Sequence, residues 1–138
     1  MSSQLKQTLK VDVPPNEWLS ANMRFGHYAV RAKRVAALRA RSKLLARAAR
    51  LRPMNGLVHV SAVVIGRQNR RSDPNNAADA TKAIVDGLRD AGVLVDDDHL
   101  HVLGPDHRHG DADPSLRVGW HRIVLELEEA GGVVSAAS

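Results

Sequence analysis

Residues 57–98 read, in succession, LVHVSAVVI (57–65), GRQNRRSDPNN (66–76), AADATKAIVDGLRDAG (77–92) and VLVDDD (93–98). The first block is rich in Val and Ile and predicts a strand, Leu57–Ile65, buried on at least one side. Arg67 to Asn76 is a polar, basic loop. In the third block Ala77, Thr81, Ile84, Leu88 and Ala91 recur at helical spacing, which predicts a helix over 77–91 with those side chains facing inward. Asn76 is a candidate N-cap, Asp79 three residues on gives the pattern of a capping box, and Gly92 suits the position just past the helix end. Val93–Val95 then restores an apolar run before three aspartates. If that run returns alongside Leu57–Ile65, the loop before the helix and the acidic triplet after it can face each other.

Working outward, Leu5 to Val13 alternates apolar with polar residues, and Pro14-Pro15-Asn16 ends that strand. A helix is expected from about His27 to Leu51, with Tyr28, Val35, Leu38, Leu45 and Ala49 inward, stopped by Pro53 and Gly56. Beyond the aspartates come a short segment, His99 to Leu103, and a loop from Gly104 to Ser115. A last strand is expected over Leu116 to Leu127, best defined at Ile123, Leu125 and Leu127. The order is β-α-β-α-β-β, an α+β fold with helices packed on a mixed sheet. Residues 1–129 are expected to form one domain and residues 130–138 a disordered tail.

The 138 residues are 43% hydrophobic but only 3% aromatic, so Val, Leu, Ile and Ala must build the core. There is no cysteine, which excludes disulfides, thiolate metal sites and cysteine nucleophiles and is compatible with a reducing cytosol. The first residues lack the apolar run of a signal peptide and no stretch is long enough to span a bilayer. A cytoplasmic protein without a membrane partner is expected. The net charge of +5 hides an asymmetry: Arg24 to Arg52 holds ten Lys or Arg and no acid, while the other ten basic residues share the chain with fifteen acids. One surface is therefore expected to meet a polyanion and another to hold carboxylates for a separate purpose. The plainer alternative is a solvated basic helix.

Asp73 precedes the second helix and Asp96-Asp97-Asp98 follows it. On adjacent strands, about 4.8 Å apart, such carboxylates can share a hard cation, which takes oxygen ligands. Acidic triplets in turns are more often simply solvated. The combination of Arg70-Arg71-Ser72-Asp73-Pro74-Asn75-Asn76, Lys82 with Asp86-Gly87-Leu88, and Gly92-Val93-Leu94-Val95-Asp96-Asp97 is more specific. It resembles the signature of the RusA family of Holliday-junction resolvases, in the form found in actinobacterial phages and prophages. The resemblance covers about Arg70 to Asp98. It implies a RusA-like fold and a homodimer that cuts four-way and other branched DNA junctions with Mg²⁺ or Mn²⁺, in recombination and repair.

Carried over residue by residue, the resemblance makes Asp73, Asp97 and Lys82 catalytic and Asp73, Asn75, Asp96 and Asp97 metal ligands. Lys82 would contact the scissile phosphate, with Asp86 orienting it as an i,i+4 pair. Asn75 departs from the family pattern, which has Asp there, and Asp79 or Asp98 might join the site instead. Arg67, Arg70, Arg71, Arg31, Arg34 and Lys82 are the expected DNA-binding cations. Val58, Val60, Ile123 and Leu125 are expected to pack either in the sheet or at the dimer interface. The alternatives are a junction- or DNA-binding protein of the same fold with weakened or lost cleavage, and a hydrolase of a small phosphorylated substrate. His99, His101, His107 and His109 admit a zinc reading, against the plainer one of imidazoles beside a phosphate-binding surface.

Overall fold

A computed structural model describes residues 4–21, 23, 28–69, 73–96 and 98–130. Its elements are β1 (Lys6–Val13), α1 (Tyr28–Ala48), β2 (Val58–Ile65), α2 (Ala78–Asp90), β3 (Val102–His109) and β4 (His121–Glu129), with a 3-10 turn, Pro74–Ala77, leading into α2. One sheet has the order β1-β4-β2-β3. β4 runs antiparallel to both β1 and β2, and β2 runs parallel to β3. The α+β class and the mixed sheet agree with the sequence. No helix among the described residues is long and apolar enough to cross a membrane.

The route back to the sheet differs from expectation. Val93–Val95 forms no strand, and the partner of β2 is Val102–His109, whose sequence, VLGPDHRH, was expected to be mostly loop. β3 is an edge strand and only Val102 in it is buried, so no apolar alternation marks it. A cis peptide joins Gly104 to Pro105, and the pairing of β2 with β3 shifts register between His59 and Ser61. Proline is tolerated at a sheet edge because no ladder hydrogen bond needs its missing N–H. β4 likewise starts at His121, not at Leu116, because residues 114–119 make turns that end in Gly119 at φ +82°.

The core follows strand periodicity. Leu9, Val11 and Val13 of β1, Val58, Val60, Ala62 and Val64 of β2, and Ile123, Leu125 and Leu127 of β4 are buried under the helices. Each fully buried Val, Leu or Ile contributes roughly 1.5–3 kcal/mol relative to exposure. Val58, Val60, Ile123 and Leu125 are at most 1% exposed, so they pack inside the protomer and are not available to an interface.

α1 buries Leu38, Ser42 and Ala46, while Tyr28 is 82% exposed and Ala49 is also exposed, contrary to the expected inner stripe. Length explains this. α2, with 13 residues, is about 20 Å long and covers only part of the 21-residue α1, about 32 Å long. Where they meet, Ser42 Oγ donates to the Ile84 carbonyl at 2.7 Å, and Gly87 faces the Arg39 carbonyl with no room for a side chain. Arg39 closes the contact with a bidentate pair to Asp90, at 2.6 and 2.8 Å.

Candidate functional site

Asp73 ends the loop after β2 in an extended conformation, and its Oδ1 accepts the Asn75 amide at 2.9 Å, which caps the 3-10 turn. Asn76 was expected to be the cap. It lies within the turn, and its carbonyl accepts the amide of Ala21 at 2.9 Å. Asp79 does not reach back as a capping box would require. It pairs with Arg31 at 3.2 Å. Lys82 projects from α2 with its side chain 70% exposed and its Nζ 3.9 Å from Asp86, one turn on. Arg89, in the last turn, lies 3.5 Å from Asp96.

Among the described residues, the two groups of carboxylates stand towards opposite ends of the β2–β3 pair. Asp73 follows the end of β2, whereas Asp96 and Asp98 precede β3, whose first residue pairs with the first residue of β2. A helix of about 20 Å separates them, because the chain returns through Val102–His109 and not through Val93–Val95. Asp98 instead accepts from the Leu100 amide and lies 2.6 Å from His101 Nδ1, and that imidazole holds its pKa below the usual carboxylate value. Among the described residues no group of three or more His, Cys, Asp or Glu is arranged to hold a metal ion. Asp97, Arg70 and Arg71 lie outside the described residues. The histidines are also dispersed: His101 is paired with Asp98, and His107 Nε2 is 3.0 Å from the buried Thr81 hydroxyl.

Several expected DNA-binding cations have structural partners. Arg31 pairs with Asp79, and two further cations of α1 that were not among those expected also have acids of their own, Arg39 with Asp90 and Arg41 with Glu17, the last through two bonds of 2.7 and 2.8 Å. Arg34 donates to the carbonyls of Pro15 and Trp18, at 3.0 and 3.1 Å, and Arg67 Nε to that of Leu116 at 2.9 Å. The basic helix is therefore neutralised in part by acids far away in sequence.

These same bonds shape a cleft beyond the carboxyl end of β2, a place where open α/β sheets often bind ligands. It encloses about 590 Å³ and is lined by Trp18, Arg67, Asn69, Asp73, Trp120 and His121, among others. Arg34, Arg41 and the Asn76 carbonyl anchor the loop that carries Trp18. Gly119 brings the next turn against Pro15, where a Cβ would approach the proline ring to 2.8 Å. Trp18 and His121 stack in parallel, with ring centroids 3.9 Å apart and planes 8° from coplanar. Arg117 lies over the Trp120 ring, 5.6 Å from its centroid. The cleft was missed in the sequence. Its available signal was that an aromatic-poor chain has only two Trp, each beside a Pro or Gly turn.

The chain matches no protein-family model and no curated protein.

Burial lowers the pKa of His121, and it also lowers that of His107, against the opposing pull of Asp106 and Asp73. Both imidazoles are therefore favoured neutral in the folded state. An unfolded imidazole titrates near 6.5, so stability from these groups is complete above that pH and falls as the solution is acidified through it towards the lower folded value. Paired acids such as Asp98 and Asp113, whose folded pKa values are lowered, add a separate loss only below about pH 4. Urea midpoints are expected to fall between pH 7.5 and 5 in the natural protein and to fall less in His121→Phe, which keeps a ring on Trp18 but cannot protonate. Equal slopes in the two proteins would rule out His121 as a source.

Proposed function

We propose that the protein is a metal-dependent endodeoxyribonuclease that acts on four-way and other branched DNA junctions as a homodimer, in the manner of the RusA family. The supporting observation is where the motif residues stand on α2. That helix turns seven residues into the core and presents Lys82 and Arg89 at the surface, with Asp73 ahead of it and Asp96 beyond it. Lys82 is thus a motif residue that packing does not require, whereas Asp86 beside it is largely buried.

The donor chemistry suits a hard cation: carboxylate oxygens from Asp73, Asp96 and Asp97 and an amide oxygen from Asn75. Their spacing does not suit a site within one chain, so we place each site between two copies, with Asp73 and Asn75 of one protomer facing the partner's Asp96 and the partner's Asp97. Two-fold symmetry then creates two equal sites, which symmetric incision needs. Bound Mg²⁺ or Mn²⁺ would supply an activated water and positive charge at the leaving 3′ oxygen. Lys82 contacts the scissile phosphate, Asp86 positions Lys82, and the Asp73 cap fixes the loop that presents the carboxylate.

Incubation with a synthetic four-way junction tests the proposal directly. Paired nicks are expected with Mg²⁺ or Mn²⁺ and none with chelator, together with salt-sensitive binding and a dimer by light scattering. A second outcome, favoured by Asn75, is tight junction binding without cleavage under either metal. Asn75→Asp would then be expected to restore nicking. In a protein that already cuts, the same substitution should lower the Mg²⁺ concentration required, because it adds a charged ligand.

A further inference from the structure

We infer that the cleft between the Trp18 loop and the Trp120 turn binds an unstacked nucleobase, that of the nucleotide beside the phosphate to be cut. The inference rests on the nuclease proposal for its substrate and on three separate observations for its site. First, both indoles of a chain that is only 3% aromatic line one cleft, with an imidazole already stacked on Trp18. Flat aromatic surfaces are what unpaired bases stack on, whatever their sequence. Second, the Nδ1 of His121 is buried and has no hydrogen-bond partner among the described residues. A buried nitrogen left unsatisfied costs free energy that a partner would recover, and a turn of the imidazole towards the cleft would bring it to the edge of a nucleobase, which offers both donors and acceptors. The Asn69 side chain lines the same cleft, with its oxygen held by the Ala112 amide at 3.2 Å, which leaves its amide nitrogen on the opposite side of the group.

Third, Asp73 and Arg67 are part of the cleft lining. A base held inside would therefore place its own phosphate close to the carboxylate assigned to the metal. The volume of about 590 Å³ is within the usual range for small-molecule sites. With Trp18 committed to His121, Trp120 is the indole assigned to stack on the base. The walls are fixed before binding by the Arg34, Arg41 and Gly119 contacts described above, so little ordering remains to oppose capture. A branch point supplies such a base readily, since nucleotides there have lost part of their stacking.

Because Trp18 and Trp120 are the only tryptophans, fluorescence excited at the red edge of the indole band, where Tyr28 does not absorb, reports on this cleft, after correction for light absorbed by the nucleotide. Titration without metal by each of the four deoxynucleoside 5′-monophosphates is expected to give saturable quenching at millimolar concentration. Deoxyribose 5-phosphate, which has the sugar and phosphate but no base, should give none. Trp120→Leu should weaken nucleotide binding about tenfold, in line with the loss of one base-aromatic stack, and Trp120→Phe should retain most of it. Quenching by deoxyribose 5-phosphate equal to that by the nucleotides would overturn the inference and leave an anion site only. Absence of quenching by any nucleotide, or undiminished binding in Trp120→Leu, would also overturn it. If Trp120→Leu does not fold, the comparison of nucleotides with deoxyribose 5-phosphate decides alone. No step of this test needs cleavage. A junction cut by a protein that ignores nucleotides refutes only the cleft, and nucleotide binding by a protein that never cuts refutes only the nuclease.

Discussion

Gly87→Ala is expected to destabilise the protein strongly, although alanine is the better helix former by about 1 kcal/mol. Gly87 lies inside α2 and has no unusual backbone conformation to protect. The obstacle is its neighbour. A Cβ there would stand 2.4 Å from the Arg39 carbonyl oxygen, 2.7 Å from Ser42 Cβ and 2.9 Å from Ser42 Oγ. The nearest atom belongs to the backbone of α1 and cannot rotate away, so the two helices must separate. Separation would also stretch the buried bond from Ser42 Oγ to the Ile84 carbonyl and the Arg39–Asp90 pair. Overpacking of this kind costs about 1–3 kcal/mol and sometimes more, and a lost buried hydrogen bond adds roughly 0.5–1.5 kcal/mol. A net loss of about 2–3 kcal/mol follows, a large part of the stability of a small domain. Urea unfolding of the natural protein and the variant measures it. Ser42→Gly in the Gly87→Ala background should recover little, because the Arg39 carbonyl remains in place. A gain in stability on Gly87→Ala would show that the helices do not meet as described.

The elements that were legible in the sequence are those whose periodicity is enforced by burial. β2 has one face repeated by Val58, Val60, Ala62 and Val64, all buried, and α2 buries Ala80, Thr81, Ile84 and Leu88 along one side. β3 has no such record, because an edge strand with one buried residue leaves composition nearly free, and its Gly-Pro pair looks like a turn. That single omission also misplaced the acidic triplet, since it set the wrong stretch beside β2. The ion pairs of α1 were not legible for a different reason. Arg31, Arg39 and Arg41 have their partners at Asp79, Asp90 and Glu17, and no local pattern reveals a pair that only the tertiary fold creates. The cleft is built from residues near 18–20, 64–69, 73–77, 109–110 and 118–121, five segments with no mutual spacing for a motif to carry.

Asp73→Asn is expected to reduce junction cleavage by more than the ~10–100-fold that accompanies loss of a group merely supporting a metal ligand, with junction binding retained. Asparagine is the informative replacement. It keeps an Oδ1 able to accept the Asn75 amide, now bonded at 2.9 Å, so the cap of the 3-10 turn survives while the charge is lost. Alanine would remove the cap as well, at about 0.5–2 kcal/mol, and confuse folding with chemistry. Asp97→Asn should be equally inactive by itself. Mixing the two inactive proteins then distinguishes a shared site from a self-contained one. If each site takes Asp73 from one chain and Asp97 from its partner, a mixed dimer carries both lesions in one site and none in the other, and nicking returns. Random exchange makes half the dimers mixed, so about a quarter of the sites should recover. If every site lies within one chain, each site of a mixed dimer keeps a lesion and no mixture cuts. Wild-type cleavage by Asp73→Asn would remove Asp73 from the metal site altogether. Failure of the mixture, with both single variants inactive and dimeric, would assign Asp73 and Asp97 to one site within a single protomer.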